Sequence, residues 1–535
     1  MNTKLLPHPL ALSIASFGCL VLLSPKWVFP PAAWVAPMFL LLLMDRLGTW
    51  KSYGVAVSIL FTSSLVAQYK VMPFPGIFFF VMVFIISLQA AIPYAINRIL
   101  WPKIKGWKKT LVFPCALVTY EYVSSFGGGG SWGSIAYTQV SNTLLIQSVS
   151  LAGIWIITFL IGWCSSLLFW LFKEQGKWRV VNKTVFVFGL TVLILMFYGL
   201  VRTNLLADPA KETVRVAGIT GSNVPLLKAM YEDTFGKQII VNEATLTQTS
   251  PELAELNKGF VAFIENPFDP KFSNSGSKII LSQDSLFQLG RKEADAGAKI
   301  IAWSEACAFT VKSEEQELLK KGEVFARENN VYFFMAVASI IPGKIEMGKK
   351  FIENKVVLFE PSGKILNVFF KNRPVPVVEP SVSGNGIVPV IHTPFGKLGV
   401  SICYDADFPV LMRQLGTQSA DILILPSGDW KEVSPYHGQM ATIRAIENGT
   451  SLLRPASGAQ SIATDFRGNV IGRRNYYDRG NKVVVAYLPT KGTRTLYTIV
   501  GDSLPWLCVV TLMISMIRVV FETRYPIAVT SIRWQ

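Results

Sequence analysis

The chain of 535 residues is 51% hydrophobic and only 16% charged, and its mean hydropathy is +0.39. One soluble globular domain does not carry such a composition, so the sequence predicts a membrane protein. The formal net charge is +16, but many basic residues lie in short loops between apolar stretches, where membrane topology accounts for them, and we expect no nucleic-acid partner.

Apolar stretches long enough to cross a hydrocarbon core of roughly 30 Å occur along the first third of the chain and again near its end. They cover about 8–24, 28–45, 53–69, 72–96, 110–124, 144–172, 183–201 and 504–520. The first stretch lacks a convincing small-residue cleavage site and opens a series of spans, so we interpret it as a retained helix rather than a signal peptide. The sequence therefore predicts eight transmembrane helices.

Lysine and arginine are concentrated in every second loop between these predicted spans. The loops that follow spans two, four and six hold Arg46, Lys51, Arg98, Lys103, Lys105, Lys108, Lys109, Lys173, Lys177, Arg179 and Lys183. The alternate loops hold only Lys26 and Lys70. By the positive-inside rule the basic loops are cytoplasmic, so both termini are predicted inside, with Arg524 and Arg533 in the tail. The region after the seventh span is then outside the cytoplasm.

That region differs in composition from the spans, with charges throughout and short strand-like runs that alternate with amphipathic helices. Strands are predicted at 214–220, 298–305, 331–341, 353–361, 397–405, 421–427 and 482–488, and helices at 313–330 and 437–449. This alternation is typical of an α/β domain. We therefore predict a seven-helix membrane domain at 1–205, an α/β domain at 206–495, and a last helix with a cytoplasmic tail at 496–535.

Cysteine and histidine are too few for a disulfide framework or a metal centre. Four of the six cysteines lie in the apolar spans, and only Cys307 and Cys403 belong to the α/β region. The histidines are His8, His392 and His437, and no spacing is typical of a zinc site or supports a Cys-His pair. We expect neither a metal nor an organic cofactor.

Three reactive side chains stand at the ends of strand-like runs in the α/β region: Glu305, Lys371 and Cys403. A thiol needs a base to become a nucleophile, and a buried carboxylate can serve where histidine is scarce. A lysine nearby would stabilise a thiolate and a developing oxyanion. Taken singly, such a cysteine is usually a buried hydrophobe, such a glutamate a helix cap, and such a lysine a solvated charge.

The segments around these residues resemble the three signature segments of the carbon-nitrogen hydrolase, or nitrilase, superfamily. They are IIAWSEACAF, VFFKNRPVPVVEP and VSICYDADFP, in that order. The resemblance implies an αββα sandwich and a catalytic triad of Glu305, Lys371 and Cys403. Two further segments, DILILPSGDW and HGQMATIRAIENGTSLLRPASG, are similar to the strand, helix and strand that follow the nucleophile in that superfamily.

Seven spans before such a domain and one after it are similar to the architecture of the apolipoprotein N-acyltransferase family. The segment GGSWGSIAYTQ resembles a loop of that family. The resemblance implies a monomeric enzyme of the bacterial inner membrane with a periplasmic catalytic domain. Its acyl donor would be a phospholipid, Cys403 would carry the acyl chain as a thioester, and the acceptor would be a diacylated apolipoprotein.

The resemblance also implies supporting residues. Glu379 matches an acidic residue of the lysine loop, and Tyr404, whose backbone N–H would help to hold the oxyanion, follows the nucleophile as in the family. Asp405 stands where the acyltransferases generally have glutamate, and its shorter side chain puts its role in question.

Two other functions remain open on the sequence alone. The triad could transfer the acyl group to water, as in a membrane-tethered amidase, or the domain could be a catalytically inactive part of a binding or transport protein. The run at 222–231 and the pair Phe408 and Pro409 either form an apolar entrance for lipid or belong to the ordinary core.

Overall fold

The computed structural model describes residues 8–174, 177–205, 212–247, 250–343 and 349–524, so Arg533 lies outside the described residues. Helices α1 to α17 are Pro9–Val21, Pro30–Arg46, Thr49–Gln68, Gly76–Ala90, Ile92–Leu100, Val112–Ser124, Val149–Ala152, Trp155–Lys173, Trp178–Leu200, Val224–Phe235, Pro251–Glu265, Ser273–Asp295, Glu315–Asn329, Pro409–Thr417, Tyr436–Asn448, Leu496–Val500 and Ser503–Arg524. Strands β1 to β15 are Thr213–Ile219, Ile300–Trp303, Ala308–Val311, Tyr332–Ile340, Ile352–Phe359, Ile365–Phe370, Val390–Thr393, Gly396–Val400, Ile422–Ile424, Ser427–Gly428, Ser451–Arg454, Ala456–Ser457, Gln460–Thr464, Val470–Asn475 and Val483–Pro489.

A helix coincides with most or part of each predicted membrane span. Within the described residues, four helical segments are long and apolar enough to cross a membrane: Gly76–Lys103, Trp155–Lys173, Trp178–Asn204 and Ser503–Phe521. The helices on the other predicted spans, α1, α2, α3 and α6, are shorter or less apolar. The long apolar helices fit a membrane protein, whereas eight crossings stay a prediction.

The predicted span at 144–172 is wrong as a single helix. Gly153 has φ +70° and ends the short helix α7, and the long helix α8 begins only at Trp155. A side chain at Gly153 would clash with the ring of Tyr497, 2.8 Å away. The backbone N–H of Ile154 donates to Glu447 Oε1 at 2.7 Å. The helix is interrupted here because the chain packs on the α/β domain before it enters the bundle of apolar helices.

Two β-sheets pack face to face in the region after the seventh predicted span. One has the order β15-β1-β2-β4-β5-β6 with β3 paired to β4, and the other has the order β14-β13-β11-β9-β8-β7. Buried apolar side chains of both sheets share one core, including Val216 and Ile300 from the first and Val400 and Ile422 from the second. Helices α12 and α13 cover the first sheet, and α14 and α15 lie on the second. The predicted α/β domain is confirmed, with layers in the order helix, sheet, sheet, helix.

The predicted strand at 397–405 is too long. Strand β8 ends at Val400, and Cys403 begins a 3₁₀ helix, Cys403–Asp407, with φ +46°. Strand β2 likewise ends before Glu305. Both segments leave the sheet before the reactive residue, so Glu305 and Cys403 lie beyond the ends of their strands, at the same edge of the sandwich. The sequence analysis did not predict β3, β7, β10, β12, β13 and β14. The first four have four residues or fewer, and β14 is a largely exposed edge strand.

The apolar helices of the N-terminal part and the α/β domain share a hydrophobic core. Side chains of α15, among them Tyr436, Met440 and Ile443, pack in one buried cluster with Val112 of α6 and Trp155 of α8. Hydrogen bonds cross the same boundary, for example from Gln147 Nε2 to the carbonyl of Arg467 at 2.8 Å. The two parts therefore form one continuous packed unit, and a site can have walls from both.

Candidate active site

The three predicted catalytic side chains lie together at one edge of the sandwich. Glu305 follows β2, Lys371 follows β6 and Cys403 follows β8. Lys371 Nζ donates to Glu305 Oε1 at 2.7 Å. The residues are 8%, 1% and 4% exposed, so their charges interact with little screening by water. All three line the same cavity.

Glu379 and Asn354 tie this cluster together. Lys371 Nζ also donates to Glu379 Oε2 at 2.6 Å, and Asn354 Nδ2 donates to Glu305 Oε1 at 2.7 Å and to Glu379 Oε1 at 2.8 Å. Burial lowers the pKa of Lys371, but the two carboxylates outweigh it and hold that pKa well above its usual value. Burial also raises the pKa of Glu379, and Lys371 and Asn354 more than reverse this effect. The sequence analysis missed Asn354, which lies inside a strand with no motif around it.

Cys403 occupies a strained turn that aims its thiol into the site. Its backbone N–H donates to the carbonyl of Pro426 at 2.9 Å, and φ +46° is a left-handed conformation that side chains other than glycine rarely adopt. The sulfur contacts two acceptors, the Gly428 carbonyl at 3.6 Å and Asp429 Oδ1 at 3.9 Å. Burial and then Glu305 raise the pKa of the thiol well above its usual value, although Lys371 opposes them. The resting thiol is therefore protonated.

Asp405 joins the nucleophile turn to the lysine loop. Its Oδ1 accepts the backbone N–H of Arg373 at 2.7 Å, and its Oδ2 accepts that of Ile402 at 3.1 Å. Burial raises the pKa of Asp405 to about 6, although these N–H groups and Lys371 oppose the shift. The shorter side chain of aspartate thus reaches the lysine loop.

A glycine-rich loop from the membrane domain, residues 127–130, lies against the nucleophile turn. The hydroxyl of Tyr404 donates to the Gly128 carbonyl at 2.7 Å. A side chain at Gly130 would lie 2.6 Å from the carbonyl oxygen of Asp407, and the backbone N–H of Ser131 donates to that same oxygen at 2.7 Å. Only glycine permits this approach, because the backbones of the two domains are in contact.

Behind the thiol is a buried network of four charged side chains. His437 bonds through Nδ1 to Asp429 Oδ1 at 2.7 Å and through Nε2 to Asp407 Oδ1 at 2.9 Å. Arg454 Nη2 donates to Asp429 Oδ2 at 2.6 Å. Burial lowers the pKa of His437, but the two aspartates outweigh it and raise that pKa to about 9. The imidazole is protonated at neutral pH.

This network does not suit a metal ion, although ligand atoms of Cys403, Asp429 and His437 lie within 4.8 Å of one another. A metal ligand must offer a lone pair. Both nitrogens of His437 are committed to carboxylates, and Asp429 is also paired with Arg454. The sequence analysis named His437 but did not place it near the thiol; the signal was the segment 437–458, which resembles the helix and strand after the nucleophile.

The site opens into a cavity of about 1350 Å³. Its walls come from the membrane helices, the glycine-rich loop and the catalytic domain, and apolar side chains such as Ile86, Val123 and Leu227 dominate them. The predicted entrance run at 222–231 therefore does contribute to the cavity. The pair Phe408 and Pro409 does not line it; both are buried, and Phe408 packs in a core cluster of the second sheet.

Known proteins match both parts of the chain. The family model described as carbon-nitrogen hydrolase matches residues 278–496, and that of the apolipoprotein N-acyltransferase N-terminal domain matches residues 17–167. An apolipoprotein N-acyltransferase of Borreliella burgdorferi is 22% identical over 80% of each chain, and apolipoprotein N-acyltransferase 1 of Treponema denticola is 23% identical over 98% of each. Among solved structures, an amidase from Nesterenkonia sp. aligns with 54% of this chain and 94% of its own at 15% identity and a TM-score of 0.37.

Proposed function

The chain belongs to the carbon-nitrogen hydrolase superfamily, and we propose that it is an N-acyltransferase that moves an acyl chain from a phospholipid to an apolipoprotein. The acceptor is the α-amine of the diacylglyceryl-cysteine at the N-terminus of that apolipoprotein. The observation that carries this proposal is a buried Glu, Lys and Cys cluster at the end of a large apolar cavity with walls from membrane helices. Such walls replace the hydrocarbon environment of acyl tails, which a water-soluble amide does not need.

The first half-reaction acylates the thiol. Glu305 takes the proton of Cys403 as the sulfur attacks the ester carbonyl of the phospholipid. Lys371 Nζ and the backbone N–H of Tyr404 hold the oxyanion. Glu305 then returns the proton to the leaving lysophospholipid oxygen, so the half-reaction ends with a thioester on Cys403 and an ionised Glu305.

The second half-reaction transfers the acyl chain. The acceptor's α-amine attacks the thioester, Glu305 accepts a proton from the amine, and the Cys403 sulfur leaves and recovers its proton. The product is an amide-linked third acyl chain. The two half-reactions share one site, so the kinetics are ping-pong.

The same proposal places the chain in the bacterial inner membrane with eight crossings, the 206–495 domain in the periplasm and both termini in the cytoplasm. The distribution of lysine and arginine between loops supports this orientation. Protease added to intact spheroplasts should cleave the exposed segment at 236–247 and leave the loop at 103–109 uncut. Cleavage at 103–109 alone would show that the protein has the opposite orientation in the membrane.

Intact mass spectrometry tests the activity. Purified protein incubated with phospholipid should gain one acyl mass, Cys403→Ala should gain none, and Cys307→Ala should behave as wild type, since Cys307 is the other cysteine of the catalytic domain and packs in its core. A diacylated lipopeptide should then discharge the acyl group as an N-acylated product. Discharge to water with the lipopeptide present would instead favour the amidase, and no adduct would contradict the acyltransferase and leave the amidase and the inactive protein as alternatives.

A further inference from the structure

The sulfur of Cys403 faces two hydrogen-bond acceptors and no donor among its described contacts. These acceptors are the Gly428 carbonyl and Asp429 Oδ1, at 3.6 Å and 3.9 Å. In the resting protein the single thiol proton can be donated to either acceptor. Once the sulfur carries an acyl chain it has no proton to donate, and the two acceptors lose that donor beside the thioester. Asp429 Oδ1 keeps its bond to His437 Nδ1 at 2.7 Å, but each acceptor retains a free lone pair that faces the sulfur, so this intermediate favours a ligand that brings N–H groups.

The charges around the thiol also favour a cation. Ion pairs join four carboxylates and three cations there: Glu305, Glu379, Asp407, Asp429, Lys371, His437 and Arg454. With the imidazole protonated, these ion-paired groups sum to one net negative charge, and the buried carboxyl of Asp405 beside Lys371, whose pKa is about 6, adds to it at neutral pH. A ligand that carries one positive charge would offset this excess, and the gain is large where water is excluded.

From these two observations we propose that Asp429 and the Gly428 carbonyl form the binding site for the α-ammonium group of the acyl acceptor, next to the thioester. The inference rests on the proposed acyltransferase function and assigns Asp429 as the residue that selects a charged amine over water. An N-terminal α-amino group is largely protonated at neutral pH, so the acceptor arrives as a cation with three N–H donors.

The site also places the ammonium near its base. A methyl group built on Gly428 would lie 3.4 Å from Glu305 Oε2, so the base lies beside this glycine, and Glu305, Gly428 and Asp429 line the same cavity. The ammonium gives one proton to Glu305, which passes it to solvent. The amine nitrogen then forms the C–N bond, the C–S bond breaks with its electron pair on sulfur, and a second proton of the nitrogen ends on Cys403.

Asp407 provides a matched control for Asp429. Both carboxylates pair with His437, but Asp407 bonds the opposite nitrogen and does not line the cavity, whereas Asp429 does. An aspartate-to-asparagine change at either position removes one buried negative charge from the same imidazole. Only the change at Asp429 alters the group that faces the sulfur.

The test measures discharge of the preformed acyl-enzyme by two nucleophiles. One is the diacylated lipopeptide with its ammonium group, and the other is hydroxylamine, which is uncharged at neutral pH. In Asp429→Asn we expect lipopeptide discharge to slow about tenfold or more, because one charge-assisted hydrogen bond to the ammonium is lost. The rate of hydroxylamine discharge should stay within about twofold of wild type. Asp407→Asn removes the same charge but keeps the group that faces the sulfur, so the ratio of the two rates should shift clearly less than in Asp429→Asn. Equal slowing of both reactions in Asp429→Asn, or of neither, would overturn the assignment.

A second measurement uses the wild-type protein and does not depend on the folding of a variant. An N,N-dimethylated lipopeptide keeps the positive charge and one N–H, whereas the N-acetylated lipopeptide has lost the charge. We expect the dimethylated form to inhibit discharge by the acceptor about tenfold more strongly. Equal inhibition by both would reject the cation site while leaving the acyltransferase function intact, because that function fails only if wild type forms no acyl-enzyme.

Discussion

At the scale of single residues, the site keeps its nucleophile protonated until substrate arrives. Burial and the neighbouring Glu305 both raise the pKa of Cys403, and Lys371 does not offset them. The ammonium of Lys371 is itself shared by two carboxylates, which limits its effect on the sulfur. The thiolate therefore forms only as the base takes its proton during attack, which protects a membrane enzyme with an open apolar cavity from side reactions of a standing thiolate.

Asn354 should be essential for this arrangement. Its side-chain amide donates to both Glu305 and Glu379, so Asn354→Ala removes two hydrogen bonds to buried carboxylates and frees the base to move. We expect the rate of acyl-enzyme formation to fall about a hundredfold with phospholipid as donor. Ser381→Ala is the matched control, since Ser381 donates to Glu379 alone, at 2.9 Å. A similar loss in both variants would show that Glu379, rather than the link to Glu305, is the sensitive group.

His437 should make stability depend on pH. Its pKa of about 9 in the folded protein exceeds the usual 6.5, so proton binding favours the folded state. The stabilisation, about 3 kcal/mol, is fully present below about pH 6.5 and is lost as the pH rises through about 9. In thermal unfolding, the Tm of wild type should therefore exceed that of His437→Gln, and this difference in Tm should become smaller from pH 6.5 to 9.5. His392→Gln is the control, since His392 is exposed. A Tm difference between wild type and His437→Gln that does not change with pH would contradict this prediction.

At the scale of elements, the glycine-rich loop at 127–130 determines how the membrane bundle meets the nucleophile turn. The loop is held from both sides: Tyr404 binds the Gly128 carbonyl, and Glu121 of α6 accepts the backbone N–H of Ile135 at 3.0 Å and the hydroxyl of Ser134 at 2.6 Å. A buried carboxylate inside an apolar bundle is costly unless it is fully hydrogen-bonded. Glu121 also accepts the hydroxyl of Thr158 at 2.6 Å, so three hydrogen bonds offset this cost and fix the segment that directly follows the loop.

Two neighbouring glycines test this contact. Gly130 has φ +55° and no room for a side chain, whereas nothing lies within 4 Å of a side chain built on Gly129. Gly130→Ala should push the loop off the nucleophile turn and slow acyl-enzyme formation about tenfold or more, with destabilisation of about 1–3 kcal/mol. Gly129→Ala should leave both quantities near wild type. Equal effects would mean that the loop responds to any added side chain.

At the scale of the whole molecule, the cavity exists only because the two domains pack against each other. Helix α15 of the catalytic domain shares a buried cluster with α6 and α8, and the cavity lies beside this contact. A lipid can then place its ester at the thiol while its tails remain among apolar side chains. Neither domain alone provides both walls.

A charge inside the cavity should separate lipid binding from chemistry. Leu227 is a partly buried side chain of α10 on the cavity wall, so Leu227→Asp places an unpaired carboxylate among the acyl tails. We expect the KM for phospholipid to rise about tenfold or more, while acylation by a short, water-soluble ester stays near wild type. Ile240→Asp is the control, since Ile240 is 94% exposed. Equal loss with both esters would place Leu227 in the folding core rather than in the lipid site.

The sequence by itself determined which reactive side chains are candidates for the chemistry and that the chain carries long apolar helices. Apolar stretches follow from composition, and Glu305, Lys371 and Cys403 are visible because each stands at the end of a strand within a recognisable segment. The helix at 437–449 was also predictable, since Gly449 with φ +68° ends it.

Only the tertiary structure decided how these residues act together. Asn354 is far along the chain from Gly428 and Asp429, and all three are distant from Lys371 or Glu305 in sequence. No periodicity in the sequence marks such groups, because sheet packing determines which residues they contact. The same holds for Gly153, where docking on the catalytic domain overrides the apolar pattern of a single long helix. Local sequence patterns predict secondary-structure elements and reactive side chains. The hydrogen bonds and charges around the thiol depend instead on which helices and strands pack together, and only the folded chain determines that packing.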